Sequence, residues 1–123
     1  MPLPVASSLG SSAGRFAAAA RRHGELRSGH DANCAFKQII AAYREIRTQA
    51  DGGLGTFTRL LEDSDPSVAK WAASFLLHDA PAMARKRLEE IAQGDHRLIS
   101  FSAEITLREW DAGRLKRPEE WKP

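Results

Sequence analysis

The sequence predicts an all-α protein made of about three helical hairpins stacked in chain order. Three observations predict it. Residues 57–77 read FTRLLEDSDPSVAKWAASFLL: a short apolar helix, an acidic turn, and a second helix apolar on most of its surface. The same plan returns about thirty residues later. No segment alternates with period two for long, and no Asn-Gly or Asp-Gly turn is framed by β-branched runs.

The central hairpin carries the clearest signals. Asp65 before Pro66 is a strong helix start, since an Asp at the N-cap accepts from free first-turn amides. Pro at the first helical position loses nothing, because its missing N–H would have no partner there. Val68, Trp71, Ala72, Phe75 and Leu76 then fall on one helical face, and Ala69, Ala73 and Leu77 widen it. Only Ser67, Lys70, Ser74 and His78 form a polar stripe, so this helix must be covered on several sides. Before the turn, Leu54, Phe57, Leu60 and Leu61 make a shorter amphipathic segment.

An offset of 31 carries Phe57, Leu60 and Leu61 onto Leu88, Ile91 and Ala92. An offset of 30 carries Val68, Ala69, Trp71, Ala73, Phe75 and Leu77 onto Leu98, Ile99, Phe101, Ala103, Ile105 and Leu107. The polar stripe moves with them, onto Arg97, Ser100, Glu104 and Arg108. Apolar and polar faces that keep phase together indicate a repeat whose units bury their faces on one another.

Taken in order, residues 1–14 read as a flexible arm and residues 15–123 as one helical domain. The arm has no early Lys or Arg and a broken apolar run, so it is not read as a signal peptide. A first helix covers about residues 13–27, with Phe16, Ala20, His23 and Leu26 inward and Gly29 as its end. The second starts near Asp31 or Asn33 and turns Phe36, Ile39, Ile40, Tyr43 and Ile46 to one face, until Asp51, Gly52 and Gly53 break it. After the central hairpin, Asp79 is expected to cap a helix with Pro81 in its first turn and Met83, Ala84, Leu88 and Ile91 inward. Arg85 with Glu89, and Lys86 with Glu90, have i,i+4 spacing on its outer side. Gly94 ends that helix, Asp95 starts the last, and Gly113 closes it. The polar tail after Gly113 is expected to fold Leu115 and Trp121 back on the body.

Composition bounds the function. A hydrophobic fraction of 42% and a charged fraction of 28% argue against disorder and against a membrane span. The single cysteine, Cys34, excludes an internal disulfide, fits a reducing compartment, and reads as a small buried hydrophobe; the cytoplasm is the expected location. Residues 1–50 hold seven Lys/Arg against three Asp/Glu, and residues 51–123 eleven against thirteen, so the front is basic and the rest slightly acidic. Arg15, Arg21, Arg22 and Arg27 have no interleaved aromatics to stack bases and read as a solvated helix face. The acidic turn of Glu62, Asp63 and Asp65 lacks EF-hand spacing and reads as capping rather than metal binding. His23, His30, His78 and His96 show no zinc spacing, there is no glycine-rich phosphate loop and no nucleophile elbow. Trp71 and Trp110 stand at core positions, and Glu104 with Arg108 reads as an i,i+4 ion pair. No catalytic, cofactor or metal residue is expected.

LLEDSDPSVAKWAASFLL resembles a HEAT repeat in its paired leucines, acidic turn, Asp65-Pro66, and Val68 two residues on. From Asp65 onward the chain also resembles a small bacterial family of HEAT-like, armadillo-type helical-repeat proteins known only as a domain of unknown function. Asp65-Pro66-Ser67-Val68, Ala72-Ala73, residues 88–92, and Leu107 through Trp110-Asp111-Ala112-Gly113 to Pro118 carry that likeness. HEAT repeats often place Arg directly after the Val, whereas Ala69 and then Lys70 follow here. The resemblance implies a short right-handed α-α superhelix.

In such a stack the second helices of successive hairpins line one side. Ser67, Lys70, Ser74 and His78 would then lie beside Arg97, Ser100, Glu104 and Arg108 and form a mixed-charge face suited to a protein partner. The expected function is a non-catalytic protein-binding module. By analogy with small helical antidote partners in bacteria, the preferred named role is an immunity protein that neutralises a toxin by direct binding. The alternatives are nucleic-acid binding, through Lys70, Arg97 and Arg108, and a structural subunit of a larger complex.

Overall fold

A computed structural model describes residues 11–25 and 29–121. Among them lie six α-helices and one 3-10 turn, and no strand. The helices are α1 (Ser12–Glu25), α2 (Gly29–Arg47), α3 (Leu54–Leu61), α4 (Pro66–Leu76), α5 (Pro81–Ala92) and α6 (Arg97–Asp111). The short turn Pro118–Glu120 follows. Neighbours in sequence pair in space, α1 with α2, α3 with α4 and α5 with α6, which is the expected order of hairpins. The all-α class is therefore what the periodicity predicts.

The centre of the molecule is α4, which packs on α1, α3, α5 and α6. Every residue from Ser67 to Leu77 is buried, so the helix is enclosed on all sides, as its composition requires. Asp65 caps it from an extended backbone and accepts from the Ser67 amide at 2.9 Å and the Val68 amide at 3.4 Å. Asp63 in turn accepts from the Asp65 amide at 2.8 Å. The acidic turn is thus occupied with capping. Arg87 on α5 donates to the carbonyls of Leu61 and Asp63 and ties the turn to the next hairpin.

Phe75 is the hub of an aromatic cluster. Tyr43 of α2 lies 4.5 Å from it between centroids, Trp121 of the tail 5.1 Å, Phe16 of α1 5.5 Å, and Phe57 of α3 and Trp71 each 5.9 Å. Four helices and the tail therefore meet at one ring. Full burial of each such side chain is worth about 1.5–3 kcal/mol. The tail returns as expected: Leu115 and Trp121 pack on the core, Pro118 is buried, and Tyr43 donates to Glu119 at 2.9 Å.

Several boundaries differ from the expected ones. Residues 12–14 belong to α1 and not to an arm; Ser11 is an exposed bend before it, and residues 1–10 of the expected arm lie outside the described residues, as does Leu26. Gly29 opens α2 instead of closing α1, which leaves Asp31 in the first turn. Asp79 does not cap α5. Ala80 holds that position, and Asp79 faces Arg47 at 3.0 Å, a charged partner that outcompetes the free amides. His96 rather than Asp95 precedes α6. Met83 is exposed, because only the Ala84, Leu88 and Ile91 side of α5 meets α4. Arg85 pairs with Glu89 at 3.0 Å, while Glu90 takes Arg87 rather than Lys86. Cys34 is exposed on α2, with its Sγ 3.9 Å from His30 Nε2; the buried positions of that turn go to Ala35 and Ile39.

Candidate functional site

The eight residues expected to share one face divide into two sets. Ser67, Lys70, Ser74 and Ser100 are buried. Enclosure of α4 puts Ser67, Lys70 and Ser74 inside the protein, and Ser100 sits on the inner side of α6, so these four line no outer surface. Each is satisfied internally. Ser67 donates to the Ala20 carbonyl at 2.7 Å and pins α1 to α4. Ser74 donates to the Lys70 carbonyl one turn back at 2.8 Å, and Ser100 to the Gly94 carbonyl at 3.2 Å.

Lys70 is the unusual member. Its Nζ donates to Ser102 of α6 at 3.1 Å and stands 4.2 Å from the Trp71 ring centroid. No ion pair reaches it among the described residues. Burial pushes its pKa down to about 8, because the ammonium is stripped of water without an anion in return. His23 of α1 stands edge-on to the same indole at 5.2 Å. Burial lowers the pKa of His23, and the charge on Lys70 lowers it further. The Trp71 Nε1–H is buried without a hydrogen-bond partner among the described residues.

His78 is half-buried beside Trp110, 5.1 Å away and edge-on. Its Nε2 lies 3.2 Å from the Leu115 carbonyl, which can only accept, so this nitrogen carries the proton. His78 thus fastens the tail.

Arg97, Glu104 and Arg108 are exposed on α6, with Arg108 3.9 Å from Glu104. Between them stand two apolar side chains expected to be buried. Leu98 is 82% exposed and Phe101 is 57% exposed. Their repeat equivalents, Val68 and Trp71, are covered because α4 has a neighbouring hairpin on each side, whereas α6 packs mainly on α5 and α4. Its inner side is filled by Ser100 and Ala103, with Ile99, Leu107 and Trp110 at the margins. The outer side therefore carries an apolar ridge with a charged rim. The repeat arithmetic named these residues but could not show that, among the described residues, no further hairpin covers this side of α6.

Among the described residues no group of three or more His, Cys, Asp or Glu could hold a metal ion. No described helix is long and apolar enough to cross a membrane. The chain finds no match among protein-family models, curated proteins or solved structures.

Proposed function

We propose that this chain is a non-catalytic protein-binding module whose partner docks on the outer face of α6. The observation that supports this most is the open pair Leu98 and Phe101, set in a rim of Arg97, Glu104 and Arg108. Exposed apolar pairs inside a charged rim have the anatomy of a protein interface. A helix or hairpin of the partner suits the site, because the ridge matches the one that Val68 and Trp71 present to their own neighbours. In this reading the three hairpins are a short HEAT-like superhelix, and the partner continues the stack. Among named roles we favour an immunity protein of the cytoplasm that neutralises a bacterial toxin by direct binding, on the analogy with small helical antidote proteins. The nucleic-acid alternative is disfavoured because, of its three cations, Lys70 is inside and Arg108 lies near Glu104, which leaves Arg97 alone.

Affinity capture from the source organism at physiological salt, with wild type and Leu98→Glu/Phe101→Glu as baits, tests this. One stoichiometric protein, held by wild type and lost from a variant with an unchanged melting curve, is the expected result. Equal capture by both baits, or recovery of nuclease-sensitive material alone, overturns it.

A further inference from the structure

A second surface lies between α2 and the tail. One cleft, of about 250 Å³, is lined by Phe36, Lys37, Ile40, Ala41, Arg44 and Trp121. A second, of about 550 Å³, is lined by Phe36, Arg114, Lys116, Glu120 and Trp121. Phe36 and Trp121 line both, so the two form one groove.

The rings are fixed walls. Phe36 rests on Trp71 at 5.8 Å, Trp121 rests on Phe75 at 5.1 Å, and the Trp121 Nε1–H donates to the Lys116 carbonyl at 2.8 Å. A groove already held in shape loses little entropy on occupation. The rim is cationic. Arg114 is taken by Glu109, at 3.0 and 2.8 Å. Lys37, Arg44 and Lys116 are exposed and have no ion-pair partner among the described residues, and Glu120 is the single acidic residue of the lining.

We infer that this groove docks an acidic peptide segment with an apolar anchor. Its floor between Lys37 and Arg44 is Ile40 and Ala41, which accepts an aliphatic or aromatic side chain. Lys37 and Arg44 are two helical turns apart, about 10 Å along the axis. That spacing matches carboxylates at i and i+7 of a bound helix with its anchors at i+3 and i+4. The groove shares no residue with the outer face of α6, so it stands apart from the interface proposed there.

Fluorescence anisotropy on the full chain tests the assignment. The probe is a labelled helical peptide with Glu at i and i+7 and Leu and Phe at i+3 and i+4. Its comparators replace Glu by Lys or the anchors by Ser, and a labelled oligothymidine stands for the nucleic-acid class. Binding by the acidic anchored peptide is expected, weakened about tenfold by Lys37→Glu/Lys116→Glu and by added salt. Leu98→Glu/Phe101→Glu should leave it unchanged, which separates this groove from the α6 face. Melting curves show that the variants are folded. Equal binding of the Glu and Lys peptides, indifference to the charge reversals, or tighter binding of oligothymidine overturns the inference.

Discussion

The Lys70 ammonium lies 4.2 Å from the face of Trp71, and among the described residues no carboxylate pairs with it. A charge in this position makes stability depend on pH. The group titrates near 8 in the fold and at 10.5 when free. Below about pH 8 both states hold the proton, and the folded chain bears the full cost of the buried charge. Between 8 and 10.5 the unfolded chain binds more protons than the folded one, so stability rises with pH, by up to about 3 kcal/mol at 1.36 kcal/mol per unit. Tyr43 acts in the opposite sense. Burial and the bond to Glu119 raise its pKa, so its contribution is lost only above pH 10. His23, whose pKa is lowered, costs stability only as pH falls below 6.5. Urea denaturation from pH 7 to pH 10 should therefore show a rising midpoint. Lys70→Met should flatten that rise and be the more stable chain at pH 7, because the long apolar stem is kept and the charge removed.

Close approach between α1 and α4 makes the second prediction. A Cβ on Gly24 would lie 2.7 Å from Ser67 Oγ and 2.8 Å from Ser67 Cβ. That hydroxyl is held by the Ala20 carbonyl and has nowhere to turn. Alanine at position 24 gains helix propensity worth under about 1 kcal/mol near a helix end. Overpacking costs about 1–3 kcal/mol and should dominate. Gly24→Ala is expected to lower the melting temperature, and Gly24→Ala/Ser67→Gly to lose less than the sum of its two single changes, a coupling that a double-mutant cycle measures.

Fold class and hairpin order were legible in the sequence because they rest on periodicity. The faces of α4 and α2, the Asp65 cap and the returning Trp121 all follow from local spacing and composition. Surface assignment was not legible. Ser67, Lys70 and Ser74 read as an outer stripe on a helical wheel, but α4 is covered all round, and a short hydroxyl that bonds a backbone carbonyl is as well satisfied inside as outside. Leu98 and Phe101 failed in the opposite sense, since periodicity shows that a face is apolar and not whether anything lies against it. Asp79 misled because its pairing with Arg47 is a contact between distant segments.

Two glycines with left-handed backbone allow strain and crowding to be separated. Gly53, before α3, has φ +88°, and a Cβ there would meet Ile46 Cγ2 at 2.5 Å and the Ile46 carbonyl oxygen at 2.9 Å. Gly113, after α6, has φ +72° and open space around it. Gly113→Ala should cost only the left-handed penalty, about 1–2 kcal/mol. Gly53→Ala adds a clash with backbone that cannot rotate away and should cost roughly 2 kcal/mol more. Equal losses in chemical denaturation would show that α3 can shift off Ile46.

The end of the stack predicts opposite outcomes for residues that occupy the same repeat position. Trp71 is buried against His23, Phe36, Phe75 and Trp121. Its equivalent, Phe101, is 57% exposed and belongs to no aromatic pair among the described residues. Trp71→Ala opens a cavity beneath the tail and should cost about 3–5 kcal/mol. Phe101→Ala removes a side chain that shields little and should change stability by under about 0.5 kcal/mol. The pair is read in one thermal or urea experiment on the isolated chain. A large loss for Phe101→Ala would mean that the outer face of α6 is covered in solution, either by a second copy or by another segment of the same chain. Dependence of that loss on protein concentration would tell the two apart, because association with a second copy weakens on dilution and an intramolecular contact does not.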